Sequence, residues 1–478
     1  MLAPERLSKE ARALPGLRVD NIDGTVLATI VNAKVAKLAT FTPAPAPEHL
    51  APVRSLAQAL SAPGRHFILE CKRASPSLGD INLNLDFVNQ VNCYNRYASA
   101  ISVLTEEHFF KGSYAFLQQV KAHTPLPVIL KDFVLDEREL VHARHIGADA
   151  VLLMTSLLTK EKFLELYHKA YALGLQVLCE VSDEEEANFA REHALKIVGI
   201  NNRNLKTLQI DLSTVKRLRP LLHCKSVVVS ESGIKSHQDM VQIPAENFLI
   251  GSAVCAPGLS ADFAVKTLLF GMNKLCGLTT QEGVQAAIDA KVALAGLIFT
   301  PKSPRCVSLD KARQLMAVDK EKQLTFCGVF VDAPLDEVIA HVDALGLPFV
   351  QLHGHESPDY IMALQAKRPQ LKLIKAFAVS DASIKERVAP YLTLQDKLAL
   401  YFLFDSKAPG SGKSFDYQFL QGLPHNRALL SGGLGLDNLQ EALAQGFLGL
   451  DLNSRLERAP GVKDPLLIAQ AFTKINQY

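Results

Sequence analysis

The sequence predicts an α/β fold of two tandem (β/α)8 TIM barrels preceded by an extra N-terminal helical segment. Three observations carry that prediction. Short apolar runs rich in β-branched residues recur eight times in the first half of the chain and eight times again in the second. Most are continuous instead of alternating, as strands covered on both faces are. Amphipathic helical stretches separate them, and eight such β and α units in somewhat over 200 residues suit a closed barrel better than an open sheet.

In chain order, "TVLATIVNAKVAKL" reads as the extra helix, joined to the first strand by the Pro-rich "FTPAPAPEHLAP" at 41 to 52. The first set of strands is "HFILECKR", "ASAISVLT", "PVILKDFV", "ADAVLLM", "LQVLCEV", "IVGINNR", "SVVVSES" and "NFLIGS". Among the intervening helices, "SDEEEANFAREHAL" opens with the pattern of a capping box, Ser182 and Glu185. "APGLSADFAVKTLLFGM" reads as the last helix of the first barrel, running almost directly into the second set: "NKLCG", "LAGLIF", "LTFCGVF", "PFVQLHG", "LKLIKAF", "LALYFLFD", "RALLSGG" and "FLGLDLNS". No Gly/Ser linker intervenes, so the expected domains are 1–271, with the N-terminal extension, and 272–478.

Composition narrows the function. The 478 residues are 48% hydrophobic and 21% charged, with a net charge of +2. That balance, with scattered basic residues, argues against nucleic acid, and no apolar window reaches the roughly 18 residues of a membrane span. The N-terminus lacks the apolar block of a secretory signal. A cytoplasmic protein with small-molecule substrates and no evident obligate protein partner is expected. The eight cysteines form no C-x-x-C pair, which suggests reduced thiols without zinc or disulfides.

Chemistry in such barrels sits at the carboxyl ends of the strands. In the first barrel those positions hold Glu70, Lys72, Lys131, Glu180, Asn201, Arg203, Glu231 and Ser232. Glu70 and Lys72, two residues apart, share a face. Ion-pair networks also collect at strand ends, so any one of these residues has a structural alternative. Gly233 after strand seven, and Gly251 with Ser252 after strand eight, are the small residues that let backbone N–H groups approach a phosphate. The second barrel repeats the phosphate pattern with Gly432, Gly433, Asn453 and Ser454, but ends strand one with Cys276, strand six with Asp405, and carries Arg305 in the loop after strand two. A thiol and a carboxylate across one mouth can act as base and acid; a buried small hydrophobe is the alternative for Cys276 taken alone.

Two motifs point elsewhere. "KAPGSGKS" (407–414) resembles a nucleotide-binding P-loop but has Lys407 in place of the first glycine and no clear long helix after it. "HGHE" sets His353 and His355 on one face, without the further ligands that a metal requires. No metal is expected.

The motifs "ILECKRASPS", "ASAISVLTEEHFFKGS", "VILKDFVLDE", "VGINNRNLKT" and "SESGI" resemble indole-3-glycerol-phosphate synthase. "KLCGLT", "GLIFTPKSPRCVS", "VQLHGHE", "LLSGGLGLDN" and "LDLNSRLERAPGVKD" resemble phosphoribosylanthranilate isomerase. Together they are similar to the fused bifunctional enzymes of bacterial tryptophan biosynthesis. The resemblance implies phosphosugar substrates and no cofactor. In the isomerase half it implies Cys276 as general base, Asp405 as general acid, Arg305 on the anthranilate carboxylate, and Gly432, Gly433, Asn453 and Ser454 around phosphate. In the synthase half it implies Lys131 as general acid, Glu180 as base, Lys72 as a residue that binds the carboxylate or shares in acid catalysis, and Glu70 as the group that orients it. Asn201, Arg203, Glu231 and Ser232 would position the substrate, with Gly233, Gly251 and Ser252 around its phosphate. Two departures stand out: Leu78 replaces the lysine of the family's S-P-S-K-G, and Lys291 stands where a helix-ending glycine is usual.

Overall fold

The computed structural model describes residues 2–43, 52–406 and 414–478. Two closed parallel barrels account for all sixteen expected strands. In the first, β1 (His66–Cys71), β2 (Ala100–Leu104), β3 (Val128–Lys131), β4 (Ala150–Met154), β5 (Gln176–Val181), β6 (Ile197–Asn201), β7 (Val227–Glu231) and β8 (Asn247–Ile250) pair in order, and β8 closes on β1 with His66 opposite Asn247. In the second, β9 (Lys274–Leu275), β10 (Leu294–Ile298), β11 (Thr325–Phe330), β12 (Phe349–Leu352), β13 (Lys372–Val379), β14 (Leu400–Ser406), β15 (Ala428–Leu430) and β16 (Gly449–Leu452) close in the same way, with Lys274 opposite Asp451. The strands are buried almost throughout, which is why their sequences run apolar without alternation.

The backbone separates into two compact units, residues 1–235 with 239–261 and residues 236–238 with 262–478. The helix Ala261–Phe270, read from sequence as the end of the first barrel, is gathered with the second unit. There its buried Lys266 donates to the carbonyls of Val292 (2.9 Å) and Gln323 (2.7 Å).

Several helices share one termination device. After the helix Glu137–His145 and after Lys160–Ala172, a glycine in the left-handed region (Gly147, φ 94°; Gly174, φ 79°) lets the next N–H reach back five residues, Ala148 to Ala143 and Leu175 to Ala170. The same closure follows Glu184–Glu192 and Gln281–Asp289, but there the left-handed residues are Ala194 (φ 48°) and Lys291 (φ 59°). The strain expected at Lys291 is therefore present, and Ala194 shares it.

The expected capping box of Ser182 and Glu185 does not form. Asp183 is the N-cap, accepting from the Glu186 N–H, and the Glu186 carboxylate takes the N–H and hydroxyl of Ser182. Glu185 points outward to Arg18 and Lys160. The extra helix spans Val26–Thr40, close to the stretch expected. Its buried Lys34 reaches Asp132 at 2.7 Å and Glu139 at 2.6 Å, tying the helix to the segment that follows β3. Most of the Pro-rich stretch and nearly all of the P-loop-like stretch lie outside the described residues.

Candidate active sites

In the first barrel the four odd-numbered strands end in one layer of side chains: Glu70 on β1, Lys131 on β3, Glu180 on β5 and Glu231 on β7. Alternate strands supply the four members of a layer in an eight-stranded barrel. β3 and β7 lie opposite each other in the ring, and Lys131 Nζ crosses the mouth to Glu231 Oε2 at 3.0 Å. It also approaches Glu70 Oε2 at 3.7 Å, while Lys72 holds the other Glu70 oxygen at 2.6 Å. The even strands make room. A Cβ on Gly199 of β6 would overlap the Glu231 carboxylate, and one on Gly251 would overlap Glu70 and lie 2.8 Å from Lys72 Nζ.

Three carboxylates around two ammonium groups cannot all ionise at equal cost. Burial pushes the Glu70 carboxyl up, but Lys72 and Lys131 outweigh it and hold the group below its usual range. Burial pulls the Lys131 ammonium down, and Glu231, Glu70 and Glu180 more than restore it, so its pKa lies above the ordinary lysine value. Glu180 takes the strain. Burial, then the like charge of Glu231, push its pKa up to about 8 against the pull of Lys131 and the Asn201 amide, which donates to it at 3.0 Å.

A cavity of about 600 Å³ opens over this layer. Lys72, Lys131, Glu180, Asn201, Arg203, Ser232, Gly233, Gly251 and Ser252 all line it; Glu231 does not, and sits behind Lys131. Ser232 (φ 66°) and Gly233 (φ 83°) are both left-handed. Sequence reasoning missed the apolar wall: Val26, Leu27 and Ile30 of the extra helix, with Phe110, Phe133 and Leu208. The exposed Leu78 also lines the opening. An aromatic ring has apolar walls here and a polar floor.

In the second barrel Cys276 follows β9 directly and is buried. Gly296 leaves space for its sulfur, since a Cβ there would lie 2.7 Å from Cys276 Sγ. Burial pushes the thiol up, and the ammonium of Lys274 opposes that. Asp405 on β14 is pushed up to about 6, first by burial and then by the charge of Asp451. Lys274 and Asp451 form a buried pair at 2.8 Å, and the charges of both bear on Cys276 and on Asp405.

His353 Nε2 lies 3.5 Å from Asp405 Oδ2, and burial, with Lys274 and Lys375, pulls its pKa down to about 4, leaving it neutral. His355 instead projects to solvent against Asp332, so the two histidines of "HGHE" are not gathered into one site. The reason is that both follow β12 in a loop, where the two-residue periodicity of a strand no longer applies.

Arg305 is buried and grips Glu457 with Nε (2.9 Å) and Nη2 (2.8 Å). Lys463 Nζ binds the same carboxylate at 2.7 Å and Asn453 Oδ1 at 2.7 Å. Gly432 (φ 98°) and Gly433 (φ 59°) follow β15 in left-handed conformations, and Ser454 begins a short turn after β16. Glu457, Lys463, Lys274 and Asp451 were not singled out from sequence. The last two had a signal, since each is a charge inside an apolar run; the first two had none.

Two barrels, each gathering buried ionisable side chains able to give or take a proton at its carboxyl mouth, are the architecture of a two-site enzyme. The sequence model of indole-3-glycerol phosphate synthase matches residues 27–268, and that of N-(5'phosphoribosyl)anthranilate (PRA) isomerase matches 273–474. The tryptophan biosynthesis protein TrpCF of Salmonella typhi is 41% identical over 428 residues, 89% of this chain and 92% of that protein. Its counterpart from Vibrio cholerae serotype O1 is 40% identical over 89% of each chain. One from Helicobacter pylori strain J99 is 36% identical over 95% of this chain and 100% of its own. The chain belongs to this family of fused synthase–isomerase proteins of tryptophan biosynthesis.

Proposed function

We propose that the residues of the two mouths divide the work of the two family reactions as follows. In the C-terminal barrel, N-(5-phosphoribosyl)anthranilate is isomerised to 1-(2-carboxyphenylamino)-1-deoxyribulose 5-phosphate. Asp405, whose pKa of about 6 keeps a protonated fraction within reach near neutral pH, gives that proton to the furanose ring oxygen and opens the ring; Cys276 removes the C2′ proton. Arg305 takes the anthranilate carboxylate, a planar fork on a planar anion. Gly432, Gly433, Asn453 and Ser454 surround the phosphate.

In the N-terminal barrel the aromatic carbon bearing the carboxylate attacks the ketone. Lys131 protonates the ketone oxygen, carbon dioxide leaves, and Glu180 accepts a proton as water is lost, giving indole-3-glycerol phosphate. Lys72 faces the carboxylate and Glu70 fixes its position. Asn201, Arg203 and Ser232 hold the substrate, and Gly233, Gly251 and Ser252 its phosphate. Glu231 serves by holding Lys131.

The observation that carries this reading is the mouth layer of one ammonium among three carboxylates, in which Lys131 stays charged while Glu180 is pushed up to about 8. An acid and a base with separated pKa values are what ring closure and dehydration need. The domains belong to the same proposal: 1–271 for the synthase and 272–478 for the isomerase, supported by family matches that end at 268 and resume at 273. A cytoplasmic location suits charged phosphosugar substrates; among the described residues no helix is long and apolar enough to cross a membrane.

Incubating the full-length protein with N-(5-phosphoribosyl)anthranilate alone, and following both products by mass, tests the assignment. Indole-3-glycerol phosphate is the expected end product. Accumulation of the open-chain intermediate would confine activity to the second barrel. Unchanged substrate would remove the isomerase reading.

A further inference from the structure

Arg305 reaches the second mouth along an unusual route. The residue after Cys276 is Gly277, left-handed at φ 73°, and a Cβ there would lie 2.7 Å from Arg305 Cδ and 2.8 Å from Asn453 Oδ1. The bare glycine backbone is therefore the bed on which the arginine stem lies, beside the candidate base. At the far end the guanidinium is engaged on one edge only: Nε and Nη2 meet the two oxygens of Glu457, and Nη1 lies outside that fork. The Glu457 side chain is 4% exposed. Its second cation, Lys463, is fully buried and continues to the Asn453 side chain and carbonyl.

We propose that Glu457 is a positioning residue for the isomerase reaction, with Lys463 as its counterweight. The carboxylate clamps one edge of Arg305 so that the free edge meets the substrate's aromatic carboxylate in a fixed orientation. Arginine carries several rotatable bonds, and fixing such a side chain before binding removes an entropy cost from each encounter. A buried carboxylate facing arginine alone would leave no surplus positive charge for the substrate. Lys463 supplies the second cation, so the cluster of Arg305, Glu457 and Lys463 keeps one net positive charge toward an anion. Through Lys463 the same cluster touches Asn453, on the loop read as a phosphate site, so the two anionic ends of the substrate are held by one connected network. This inference rests on the reading of Arg305 as the carboxylate-binding residue.

The competing role has the opposite sign. If Glu457 occupied Arg305 in place of the substrate, removing its charge would improve binding.

The test uses the full chain and two substrates: N-(5-phosphoribosyl)anthranilate and the analogue N-(5-phosphoribosyl)aniline, which lacks the carboxylate. Glu457→Gln keeps shape and volume but sets an amide NH2 against an arginine N–H and breaks the fork. The expected result is a fall in kcat/KM of on the order of five- to tenfold for the anthranilate substrate, expressed in KM, with no change for the aniline analogue. Equal losses on both substrates would mean a structural role and overturn the proposal. An unchanged or lower KM for the anthranilate substrate would also overturn it, the latter in favour of competition. Arg305→Ala, assayed in parallel, separates the proposal from its foundation. If that variant keeps the wild-type preference for the anthranilate substrate, the carboxylate reading itself fails. If it loses the preference while Glu457→Gln does not, only the positioning role fails.

Discussion

Replacing Glu231 with glutamine tests the charge arrangement in the first barrel most directly. The change removes one negative charge 3.0 Å from Lys131 Nζ while leaving an oxygen able to accept its hydrogen bond. At an effective dielectric of 20 the lost attraction is about 5.5 kcal/mol, a ceiling because Glu70 and Glu180 remain and water can reorganise. Even a quarter of that, roughly 1.4 kcal/mol, changes the proton affinity of Lys131 tenfold. Both candidate groups shift in the same direction. Lys131 loses its closest anion and gives up its proton at lower pH than before. Glu180 loses the like charge that, after burial, does most to keep it protonated, so it ionises below the value of about 8 it has now. If Glu180 is the base, the acid limb of the ring-closure pH profile moves to lower pH; the Lys131 limb, set above the ordinary lysine range, stays beyond the window assayed. The assay follows kcat/KM for ring closure between pH 6 and 10, starting from the open-chain intermediate, with isomerisation by the same chain as the internal control. A profile of unchanged shape and position, merely scaled down, would refute the reasoning, because Glu231 would then orient Lys131 without setting the proton equilibrium of Glu180.

Other expected outcomes follow from single contacts. Gly251→Ala places a methyl group into Glu70 and against Lys72, so ring closure falls on the order of 100-fold while isomerisation measured on the same sample is unchanged. Ala194→Gly relieves a left-handed alanine on an exposed helix end and raises the urea midpoint, by about 1 kcal/mol in stability; Lys291→Gly gains less, because Lys291 Nζ also lies 5.8 Å from the centre of the Phe270 ring. Lys34→Met strands two buried carboxylates and costs about 3–5 kcal/mol by chemical denaturation. Asp405, ordinarily near 3.8 and held at about 6 in the fold, binds its proton more tightly folded than unfolded, so this contribution to stability is present at low pH and is lost as pH rises through about 6. Asp405→Asn therefore abolishes isomerisation yet raises the thermal midpoint of the second barrel at pH 8, by the equivalent of about 1–3 kcal/mol.

Much of the architecture was legible because barrels constrain sequence strongly. A strand covered on both faces must be apolar throughout, so sixteen such runs mark sixteen strands, and the residues that end them mark the mouths. What the runs do not encode is which ends meet. Lys131 and Glu231 are 100 positions apart and become neighbours only because β3 and β7 stand opposite in a ring of eight. Glu70, Lys131, Glu180 and Glu231 were each visible as strand-end charges, yet nothing local said that all four share one layer, or that Glu231 would face Lys131 instead of the cavity. The glycines show the same limit. Gly251 reads as a phosphate contact, but the structure gives its missing side chain a second use, as room for Glu70 and Lys72.

The parts that were not legible share a physical cause. Val26, Leu27 and Ile30 look like any buried helix face, since an apolar side chain lining a substrate cavity obeys the same pattern as one in a core. Glu457 and Lys463 sit on the small hairpin after β16, outside every strand end, and earn no notice from periodicity. Their significance arises from Arg305, which lies 152 positions from Glu457, and from the glycine that lets it lie flat beside Cys276. Charged groups buried beyond the first ring of contacts are costly unless paired. In a mouth already holding the candidate acid and base, a second buried cluster of three charges therefore calls for a reason beyond stability, and the proposed orientation of Arg305 supplies one.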